Sequence, residues 1–525
     1  MSVRINESHA PESAVDRRGF LRAAGACGAV AVGGGILAGS RAGASEKRGA
    51  PSEGDAASLS WDEETDVLIV GAGFAGMAAA IEAKQAGSDV VIIDKMGMWG
   101  GNSSLNGGDM AAVGTPLQKE AGVEDSVELM EQDMLVTGKY YNHVDKVRRL
   151  VEHSAEAVQW LTDLGVEFTK LNFHGGHSVP RTNTTSNATG RDITEAQETF
   201  MEGLGVVPRL NTKLVSLAQN EDGRIVGAEV LEGYKLGEEG SGEPKRIKAR
   251  KAVIMASGGF AQDVEMRMVH EPRLTDAFSS TNHEGATGEA LREMLKHQAM
   301  DIHLDWIQLG PWTSPDEVGF GFCPQFCERL VGHAPMIDPA TGRRFVKETG
   351  DRKVRADKML ELNHVTIILG DEPAVKRQVV ERILEGGLEN GVFKKFDTLE
   401  DIAAEYEIPV DEFLDEMEKW NGYVEAGEDP DFGTMIMEGA EPTQTPPFYV
   451  ARLWPKVHHT MGGVHTNVDG QVIDQDFNVI PGLYAAGEVT GGTHGAVRLG
   501  SCAITDCIVF GRIAGQLAAA EEPWE

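Results

Sequence analysis

The chain has 525 residues, which exceeds the size at which one hydrophobic core stops growing, so we expect more than one domain. Hydrophobic residues make up 41% and charged residues 25% of the sequence, as in soluble globular enzymes. The formal net charge of -34 argues against a protein that neutralises a phosphate backbone, so we expect no nucleic-acid partner. The 63 glycines exceed the usual share of about 7% and indicate many close backbone approaches.

The first 44 residues have the composition of a targeting segment. Arg17 and Arg18 precede a small and apolar run over residues 23–39, and Ala42-Gly43-Ala44 supplies an A-x-A cleavage site. The run is too short and too rich in Gly and Ala to span a membrane comfortably. The pattern resembles a twin-arginine signal, a route that carries folded proteins, and predicts export to the periplasm or the cell surface. An uncleaved tail with an accidental Arg pair is the alternative.

The sequence has five cysteines, and their spacing gives no indication of a haem or an iron–sulfur cluster. Cys27 lies in the targeting segment, and Cys323, Cys327, Cys502 and Cys507 follow later. They form neither a C-x-x-C-H haem site nor C-x-x-C iron–sulfur ligands, and we predict no metal site. We expect free thiols, with a disulfide as the alternative.

The chain reads as one domain interrupted by another. Residues 45–60 have linker composition, and strands are predicted over residues 66–70, 89–94, 214–217, 225–230 and 252–256. Between residues 301 and 455 the sequence contains acidic segments that are predicted to be helical, such as residues 411–422. Residues 456–525 are again rich in glycine. We therefore predict an α/β fold, in which a Rossmann-like dinucleotide-binding domain (residues 61–300 and 456–525) is interrupted by an inserted α+β substrate-capping domain (residues 301–455).

A G-x-G-x-x-G turn follows the first predicted strand and opens a helix. Gly71 makes the tight turn, Gly73 admits a pyrophosphate, and Gly76 lets the helix pack closely. Asp94, about twenty residues further on at the end of the next strand, can accept hydrogen bonds from ribose hydroxyls. This context favours dinucleotide binding over a purely structural turn, but the motif alone leaves FAD and NAD both open.

The segment G-L-Y-A-A-G-E-V at residues 482–489 resembles the second FAD contact of flavoproteins with two dinucleotide-binding segments. Other matching segments are G-G-N-S at 100–103, T-N-H-E-G-A-T-G at 281–288, R-R-F-V at 343–346, V-H-H-T-M-G-G at 457–463 and G-E-V-T-G-G at 487–492. Together they resemble the fumarate reductase and succinate dehydrogenase flavoprotein superfamily over nearly all of the chain beyond Trp61. The last two segments resemble its soluble, flavocytochrome-like fumarate reductase and urocanate reductase branch.

The resemblance implies a glutathione-reductase-like FAD domain and two-electron chemistry on the flavin. Besides the residues of the G-x-G-x-x-G turn and Asp94, the implied FAD contacts are Phe74, Ala75, Lys95, Asn102, Ser103, Gly107, Gly108, Val215, Ser257, Gly258, Gly487, Glu488, Ser501, Ala503 and Ile504. Superfamily members that attach FAD covalently carry a His shortly after the Gly-Gly, where this sequence reads N-S-S-L-N at residues 102–106. We therefore expect non-covalent FAD.

Reduction of an activated alkene requires a hydride, charges that withdraw electrons from the double bond, and an acid for the second carbon. By resemblance, Arg352 takes the position of the proton-donating Arg, and Glu328 that of the Glu that relays protons to it. His459 and Arg498 match the pair that binds one substrate carboxylate, and their positive charge would stabilise developing negative charge. By residue type alone, Arg352 would more often lie at the surface, and His459 could be a satisfied core histidine.

The sequence departs from the fumarate reductase pattern where a second carboxylate would bind. Gly310 and Cys327 replace the His and Thr of that clamp, and Val331 replaces a further Arg of the proton path. With Trp312 beside Gly310, we expect a small or apolar wall in which a second carboxylate would be poorly compensated. The expected substrate is therefore a monocarboxylate with a larger, less polar group, such as a urocanate-, cinnamate- or acrylate-type acid.

These features predict an exported FAD-dependent ene-reductase for anaerobic respiration that reduces the double bond of an α,β-unsaturated carboxylate. Its electrons would come from a separate donor, such as a membrane-linked cytochrome or quinol oxidoreductase. The alternatives are a 3-ketosteroid-type dehydrogenase, a fumarate reductase proper, and a non-catalytic flavin-binding partner protein. The steroid enzymes use Tyr acids and bases, whereas only seven Tyr occur here and none lies in a matching catalytic segment.

Overall fold

The computed structural model describes residues 60–524. The expected targeting segment and nearly all of the expected linker lie outside the described residues. The described chain contains a seven-stranded mixed sheet, a five-stranded sheet, a three-stranded sheet and two two-stranded ladders. Its four cysteines are free thiols and are buried or partly buried.

The seven-stranded sheet is the centre of the dinucleotide-binding domain. Strand β1 (Glu63–Val70) pairs in parallel with β2 (Val90–Ile93) on one side and β8 (Glu243–Met255) on the other. Strand β19 (Val479–Ala485), from the far end of the chain, joins in parallel beside β8. The apolar runs of these strands suit a sheet that is covered on both faces. The other elements of the first part are α1 (Phe74–Gln85), α2 (Asn102–Leu105), β3 (Asp109–Ala111), α3 (Pro116–Glu120), α4 (Val127–Thr137), α5 (Val144–Glu152), α6 (Ser154–Asp163), β4 (Phe168–Asn172), β5 (Thr182–Thr185), α7 (Arg191–Gly203), β6 (Thr212–Gln219), β7 (Ile225–Glu232), α8 (Val264–His270) and α9 (Glu289–Lys296).

Helix α1 packs closely against the C-terminal helix α16 (Cys502–Ala520). Gly511 and Gly515 lie on the contact face, where an added Cβ would meet the backbone of Ala75 and Ala79. The glycines therefore bring the two helix backbones together beside the first glycine-rich turn. By length and composition alone α16 could cross a membrane, but 67% of it is buried within the described chain, as in the core helix of a globular domain.

The inserted domain is built on the five-stranded antiparallel sheet. Its strand order is β12 (Arg343–Arg344), β11 (Met336–Asp338), β13 (Thr366–Asp371), β15 (Phe448–Leu453) and β14 (Phe393–Phe396). All five strands lie between residues 301 and 455, which are the predicted limits of the inserted domain. These two limits stay predictions. The remaining elements of this region are β9 (Asp301–Ile302), β10 (Ile307–Gly310), α10 (Cys323–Leu330), α11 (Arg352–Leu362), α12 (Glu372–Gln378), α13 (Glu381–Glu389), α14 (Leu399–Glu405) and α15 (Val410–Ala426).

Two short ladders join the insertion to the returning chain. Strand β10 pairs with β16 (Lys456–Thr460), which places Gln308 opposite His459. Strand β9 pairs with β17 (Gly463–Val464). After β18 (Gln471–Ile473) and β19, a 3-10 helix (Gly487–Val489) leads to α16. The segments expected to bind substrate therefore meet where the chain enters and leaves the insertion.

Candidate active site

The turn after β1 has the backbone of a dinucleotide cradle. Gly71 has φ +109°, a conformation that favours glycine, and an added Cβ there would meet the backbone of Ala256. A Cβ on Gly76 would overlap the Gly71 carbonyl oxygen, so helix α1 reaches the turn only because Gly76 has no side chain. Asp94 accepts hydrogen bonds from the backbone N–H of Ala72 at 2.9 Å and of Met96 at 2.8 Å. Its carboxylate is thereby fixed at the end of β2.

A nucleotide cavity opens beside this turn. Eleven of the FAD contacts that the resemblance implies line it: Gly71, Gly73, Ala75, Asp94, Lys95, Asn102, Ser103, Ser257, Gly258, Gly487 and Glu488. Three others line neither this cavity nor the catalytic cavity described below: Gly76, whose role is the close helix approach, Gly108, and Val215, a residue that is 40% exposed. An added Cβ on Gly258 would meet open space, so the cradle has room for a bulky group along its backbone.

Several lining residues of the nucleotide cavity were not chosen from the sequence. They are Thr212, Lys213 and Leu214 of β6, and His283, Gly285, Ala286, Gly288, Glu289 and Ala290 before and within α9. Lys95 Nζ donates to Glu289 Oε2 at 2.5 Å, and this pairing with Lys95 outweighs burial and lowers the pKa of Glu289 to about 2. The sequence did give a signal for the second set, because residues 281–288 form one of the matching segments.

A second cavity, the catalytic cavity, adjoins the first. Asn102, Ser103, Glu488 and Cys507 line both cavities, so one elongated group can extend from one into the other. The remaining implied flavin contacts line the catalytic cavity, namely Phe74, Gly107, Ser501, Ala503 and Ile504. Glu328, Arg352, His459, Arg498 and Trp312 also line it. The structure thus brings the expected catalytic residues to one end of the expected cofactor site.

Arg352 is the first residue of α11, and its guanidinium is buried in this cavity. Asp351 caps the helix by accepting from the backbone N–H of Val354 at 2.9 Å, which sets where the helix begins. The Arg352 guanidinium lies 5.1 Å from the centre of the Trp312 ring, and its Nη1 donates to Gln308 Oε1 at 3.3 Å. Among the described residues it forms no salt bridge. Burial and the nearby charge of Arg498 lower the pKa of Arg352 to about 9.

Arg498 is held at the cavity from both of its ends. Its backbone carbonyl accepts from Gln308 Nε2 at 3.0 Å, and its Nη2 donates to His458 Nε2 at 3.0 Å. Gln308 therefore connects Arg352 and Arg498 through opposite ends of one amide. The structure gives Arg498 no salt bridge to any described carboxylate, and burial lowers its pKa.

His459 lies on β16 with its ring between a carboxylate and the cavity. Its Nδ1 is 3.4 Å from Glu488 Oε1, and its buried Nε2 has no hydrogen-bond partner among residues 60–524. Burial, and then the charge of Arg498, hold the pKa of His459 well below its usual range. The positive charge that we expected from His459 is therefore absent at neutral pH, and Arg498 supplies the charge at this end.

Glu328 lines the cavity from α10, but it does not bond to Arg352. Its Oε1 accepts a hydrogen bond from Arg355 Nη2 at 2.8 Å. Arg355 belongs to none of the matching sequence segments. Burial alone would raise the pKa of Glu328, but the charge of Arg355 brings it down to about 2. Glu328 is therefore ionised at neutral pH and is held by a second helical arginine.

We expected Gly310, Trp312 and Cys327 to form one wall of the substrate site, but the structure does not bring all three to the cavity. Gly310 and Cys327 do not line the cavity, and Cys327 is wholly buried in the core of the inserted domain. A Cβ on Gly310 would lie 3.0 Å from Trp312 Cζ3, so the Trp312 ring already fills the space beside Gly310. Of the three residues, only Trp312 forms cavity wall.

A further charged cluster closes the cavity near Ser501. Arg329 Nη2 donates to Asp109 Oδ1 at 2.7 Å, and His174 lies between Arg329 and Ser501. Burial lowers the pKa of His174 to about 4, so its imidazole is neutral. Arg329 is thus paired with Asp109, as Glu328 is with Arg355, whereas Arg352 and Arg498 face the cavity without a salt bridge to any described carboxylate. No group of His, Cys, Asp and Glu side chains within the described chain is arranged to hold a metal ion.

Comparison with known proteins identifies the family. A family model for an FAD binding domain matches residues 66–504. The chain is also 40% identical to the acrylate reductase flavoprotein subunit of Shewanella woodyi, over 95% of this chain and 98% of that protein. The chain belongs to the fumarate reductase flavoprotein superfamily. The urocanate reductase of Eggerthella lenta is 37% identical over 87% of this chain and 75% of that protein. A solved flavocytochrome c3 fumarate reductase in its open conformation covers 88% of this chain and 79% of its own, with 35% identity and a TM-score of 0.70.

Membership in the fumarate reductase flavoprotein superfamily confirms the family and the α/β fold expected from the motifs. It makes the chain a flavoprotein oxidoreductase that uses FAD and acts on carbon–carbon bonds. The residues present fit that cofactor, because glycine backbone and Asp94 line the nucleotide cavity, and this cavity continues into the one that holds Arg352 and Arg498.

Proposed function

We propose that this flavoprotein reduces the carbon–carbon double bond of a small α,β-unsaturated monocarboxylate, of which acrylate is the simplest. The observation that carries the proposal is the pair of guanidiniums, Arg352 and Arg498, that line one cavity without a carboxylate partner in the described chain. Buried cations without counter-ions are costly, so the cavity is complementary to an anion. One carboxylate bound near Arg498 would compensate the charge of that guanidinium, and the double bond of the acid would then lie toward Arg352.

The proposed chemistry divides between the cofactor and the side chains. When bound and reduced, FAD supplies a hydride. Arg498 binds the substrate carboxylate, with the free Nε2 of His459 beside it, and stabilises the negative charge that develops there. Arg352 donates a proton to the carbon next to the carboxylate, a task that its lowered pKa of about 9 makes easier than for an ordinary arginine.

Trp312 supports a small substrate. We expected the space beside Gly310 to take an aryl, imidazole or alkyl group, but the Trp312 ring occupies it. The ring is fixed on two sides, because it lies edge-on to His458 with ring centres 4.6 Å apart and under the Arg352 guanidinium. The name of the Shewanella woodyi relative, an acrylate reductase flavoprotein subunit, agrees with a small acid.

Two observations favour this function over the alternatives. No tyrosine is among the cavity-lining residues in the described part of the chain, whereas a 3-ketosteroid-type dehydrogenase would need tyrosine acids and bases. For fumarate, a second carboxylate would need its own clamp, and the wall beside Gly310 offers the indole of Trp312 instead. A second ion buried there with poor compensation would cost several kcal/mol.

We further propose that FAD is held without a covalent bond and that a separate protein delivers the electrons. At the start of α2, where covalent relatives carry a His, Asn102 and Ser103 line the cavities. Acid precipitation should therefore release the flavin into the supernatant. Flavin that stays with the precipitated chain would contradict this.

The proposed substrate class is tested by steady-state reduction with one artificial donor, reduced methyl viologen. Acrylate, urocanate, cinnamate, fumarate and a neutral enone such as cyclohexenone should be compared on the same FAD-loaded preparation. We expect acrylate to give the highest kcat/KM, with fumarate far below it and the neutral enone without activity. The highest value for fumarate or for the enone would refute the proposed clamp for one carboxylate.

A further inference from the structure

The structure gives Glu328 a partner that no sequence motif indicated. Arg355 lies three residues after Arg352 on α11, so both project from one side of the helix. Its side chain is 1% exposed and does not line the catalytic cavity. Its Nη2 donates to Glu328 Oε1 at 2.8 Å, while Nε and Nη1 have no partner among the described residues.

The pair is arranged asymmetrically about the cavity. Glu328 lines the cavity, and its second oxygen, Oε2, is buried without a hydrogen-bond partner in the described chain. Arg355 therefore fixes one carboxylate oxygen from outside the cavity, and the other oxygen stays free to accept a hydrogen bond. The same arginine forms the one salt bridge that this buried carboxylate makes within the described chain.

We propose that Arg355 is a positioning residue for the reduction: it holds the Glu328 carboxylate in place and ionised, so that Glu328 can serve Arg352. This inference rests on the proposed function, because it assigns Arg352 the role of acid. Helix α11 then carries both Arg352, the proposed acid, and Arg355, which holds the Glu328 carboxylate. Any shift of α11 would move both together.

The test is Arg355→Gln, with Arg355→Lys as the conservative variant. Loss of the cation should let the pKa of Glu328 rise, because Arg355 is the largest of the charges that oppose the effect of burial. We expect kcat for acrylate at pH 7 to fall by roughly tenfold or more, with KM changed by less than about threefold because Arg498 and His459 remain. Activity should recover as the pH is raised, through an acid limb that the wild type lacks, and Arg355→Lys should recover part of the rate.

A second readout does not depend on turnover. Infrared difference spectra at pH 7 should show a protonated carboxyl band in the oxidised, FAD-loaded Arg355→Gln protein. Burial already raises the pKa of Asp506 to about 6, so the band should appear as an addition to the wild-type spectrum, and this addition should be absent from the Arg355→Gln, Glu328→Gln double variant. If the wild type reduces no enoate, the proposed function fails, while this band still reports on the pair.

Lys358→Gln is the matched control, because it removes a cation from the half-exposed side of the same helix. It should keep kcat within about twofold, as surface changes usually do. Wild-type kcat and pH profile in Arg355→Gln would overturn the proposal. So would a loss that is equal at every pH and is accompanied by lost FAD or a lower Tm, because this outcome describes a purely structural ion pair.

Discussion

At the scale of single residues, the buried charged side chains differ in whether they form a salt bridge. Glu328 is paired with Arg355, and Asp109 with Arg329, at 2.8 and 2.7 Å. Arg352 forms no salt bridge within the described chain, and it is only 7% exposed. The fold tolerates this charge because Gln308 and the face of Trp312 solvate it in part, at 3.3 Å and 5.1 Å.

Arg352→Lys keeps a positive charge but loses the planar guanidinium and its contact with Gln308. We expect the variant to retain FAD and to lose about 10²- to 10⁴-fold in kcat with the preferred acid, the usual contribution of a general acid. Steady-state rates and the FAD-to-protein ratio measure the two effects. Lys353→Gln, at the next position on the same helix, is the control. Near wild-type turnover in Arg352→Lys would exclude Arg352 as the acid.

The lowered pKa of Arg352 predicts an alkaline limit to activity. The acid must be protonated to act, so kcat should be constant at neutral pH and fall as the pH rises through about 9. An ordinary arginine would give no such limb in the accessible range. A kcat profile that is flat to pH 10.5 or above, roughly one and a half units past this value, would contradict the assignment.

Trp312 should control the size of the acid. Trp312→Ala should raise kcat/KM for cinnamate relative to acrylate by about tenfold or more, because the ring that fills the space beside Gly310 is removed. Trp160→Ala, a partly buried tryptophan that lines neither cavity, is the control. An unchanged ratio would show that another residue limits the substrate.

The sequence predicted which side chains meet in one cavity better than it predicted the partners of those side chains. Arg352, Glu328, His459 and Arg498 could be placed by short matching segments, and all four line one cavity. Arg355 could not, because its pairing depends on how two helices face each other, which no local pattern encodes. Gly310 and Cys327 could be aligned, but the volume beside Gly310 is decided by the rotamer of Trp312, which the sequence does not specify.

At the scale of elements, the turn between β1 and α1 was predicted from spacing alone. Gly76→Ala tests it, because the added Cβ would overlap the Gly71 carbonyl oxygen and displace the helix from the turn. We expect FAD to be largely lost and stability to fall by about 1–3 kcal/mol, as in overpacked cores. Absorbance of bound flavin and Tm measure the outcome.

Gly203→Ala is the control for this substitution. Gly203 ends α7, and an added Cβ there meets open space. The variant should keep its flavin and its Tm. If Gly76→Ala also retains FAD at the wild-type ratio, the close approach of α1 is not what holds the nucleotide.

Element boundaries were predictable where apolar periodicity marks them. The strands expected over residues 66–70 and 225–230 fall within β1 and β7. Strand β8 was expected only over residues 252–256 but spans Glu243–Met255. Its first half alternates charged and small residues and pairs antiparallel with β7, so it lacks the apolar run that a buried strand displays. The β10 to β16 ladder joins strands about 150 residues apart, a distance at which sequence pattern has no information.

At the scale of the whole molecule, the proposed export accounts for Arg17 and Arg18, which lie outside the described residues. Replacing both by Lys should leave folded, FAD-loaded precursor in the cytoplasm, because the twin-arginine route carries folded cargo. Cell fractionation with flavin fluorescence measures this. Lys substitution of Arg4 and Arg22 is the matched control. Export unchanged by the Arg17 and Arg18 replacements would remove the twin-arginine interpretation.

The first part of the chain, the inserted domain and the returning chain all line the catalytic cavity. The insertion contributes Glu328, Arg352 and Trp312, and the returning chain contributes His459 and Arg498. Neither segment holds a complete site, which explains why the sequence reads as one interrupted domain. The proposed reaction therefore depends on the whole described chain rather than on the dinucleotide-binding domain alone.

The most direct test of the proposed reaction is a single-turnover titration without any natural electron donor. FAD-loaded protein is reduced anaerobically with two electrons, and acrylate is added while the flavin absorbance is followed. One equivalent of acrylate should reoxidise one FAD and yield one propionate, and Arg352→Lys should block this step while the flavin stays bound. Reduced flavin that persists in excess acrylate, urocanate and cinnamate, yet is reoxidised by fumarate or a neutral enone, would contradict the account.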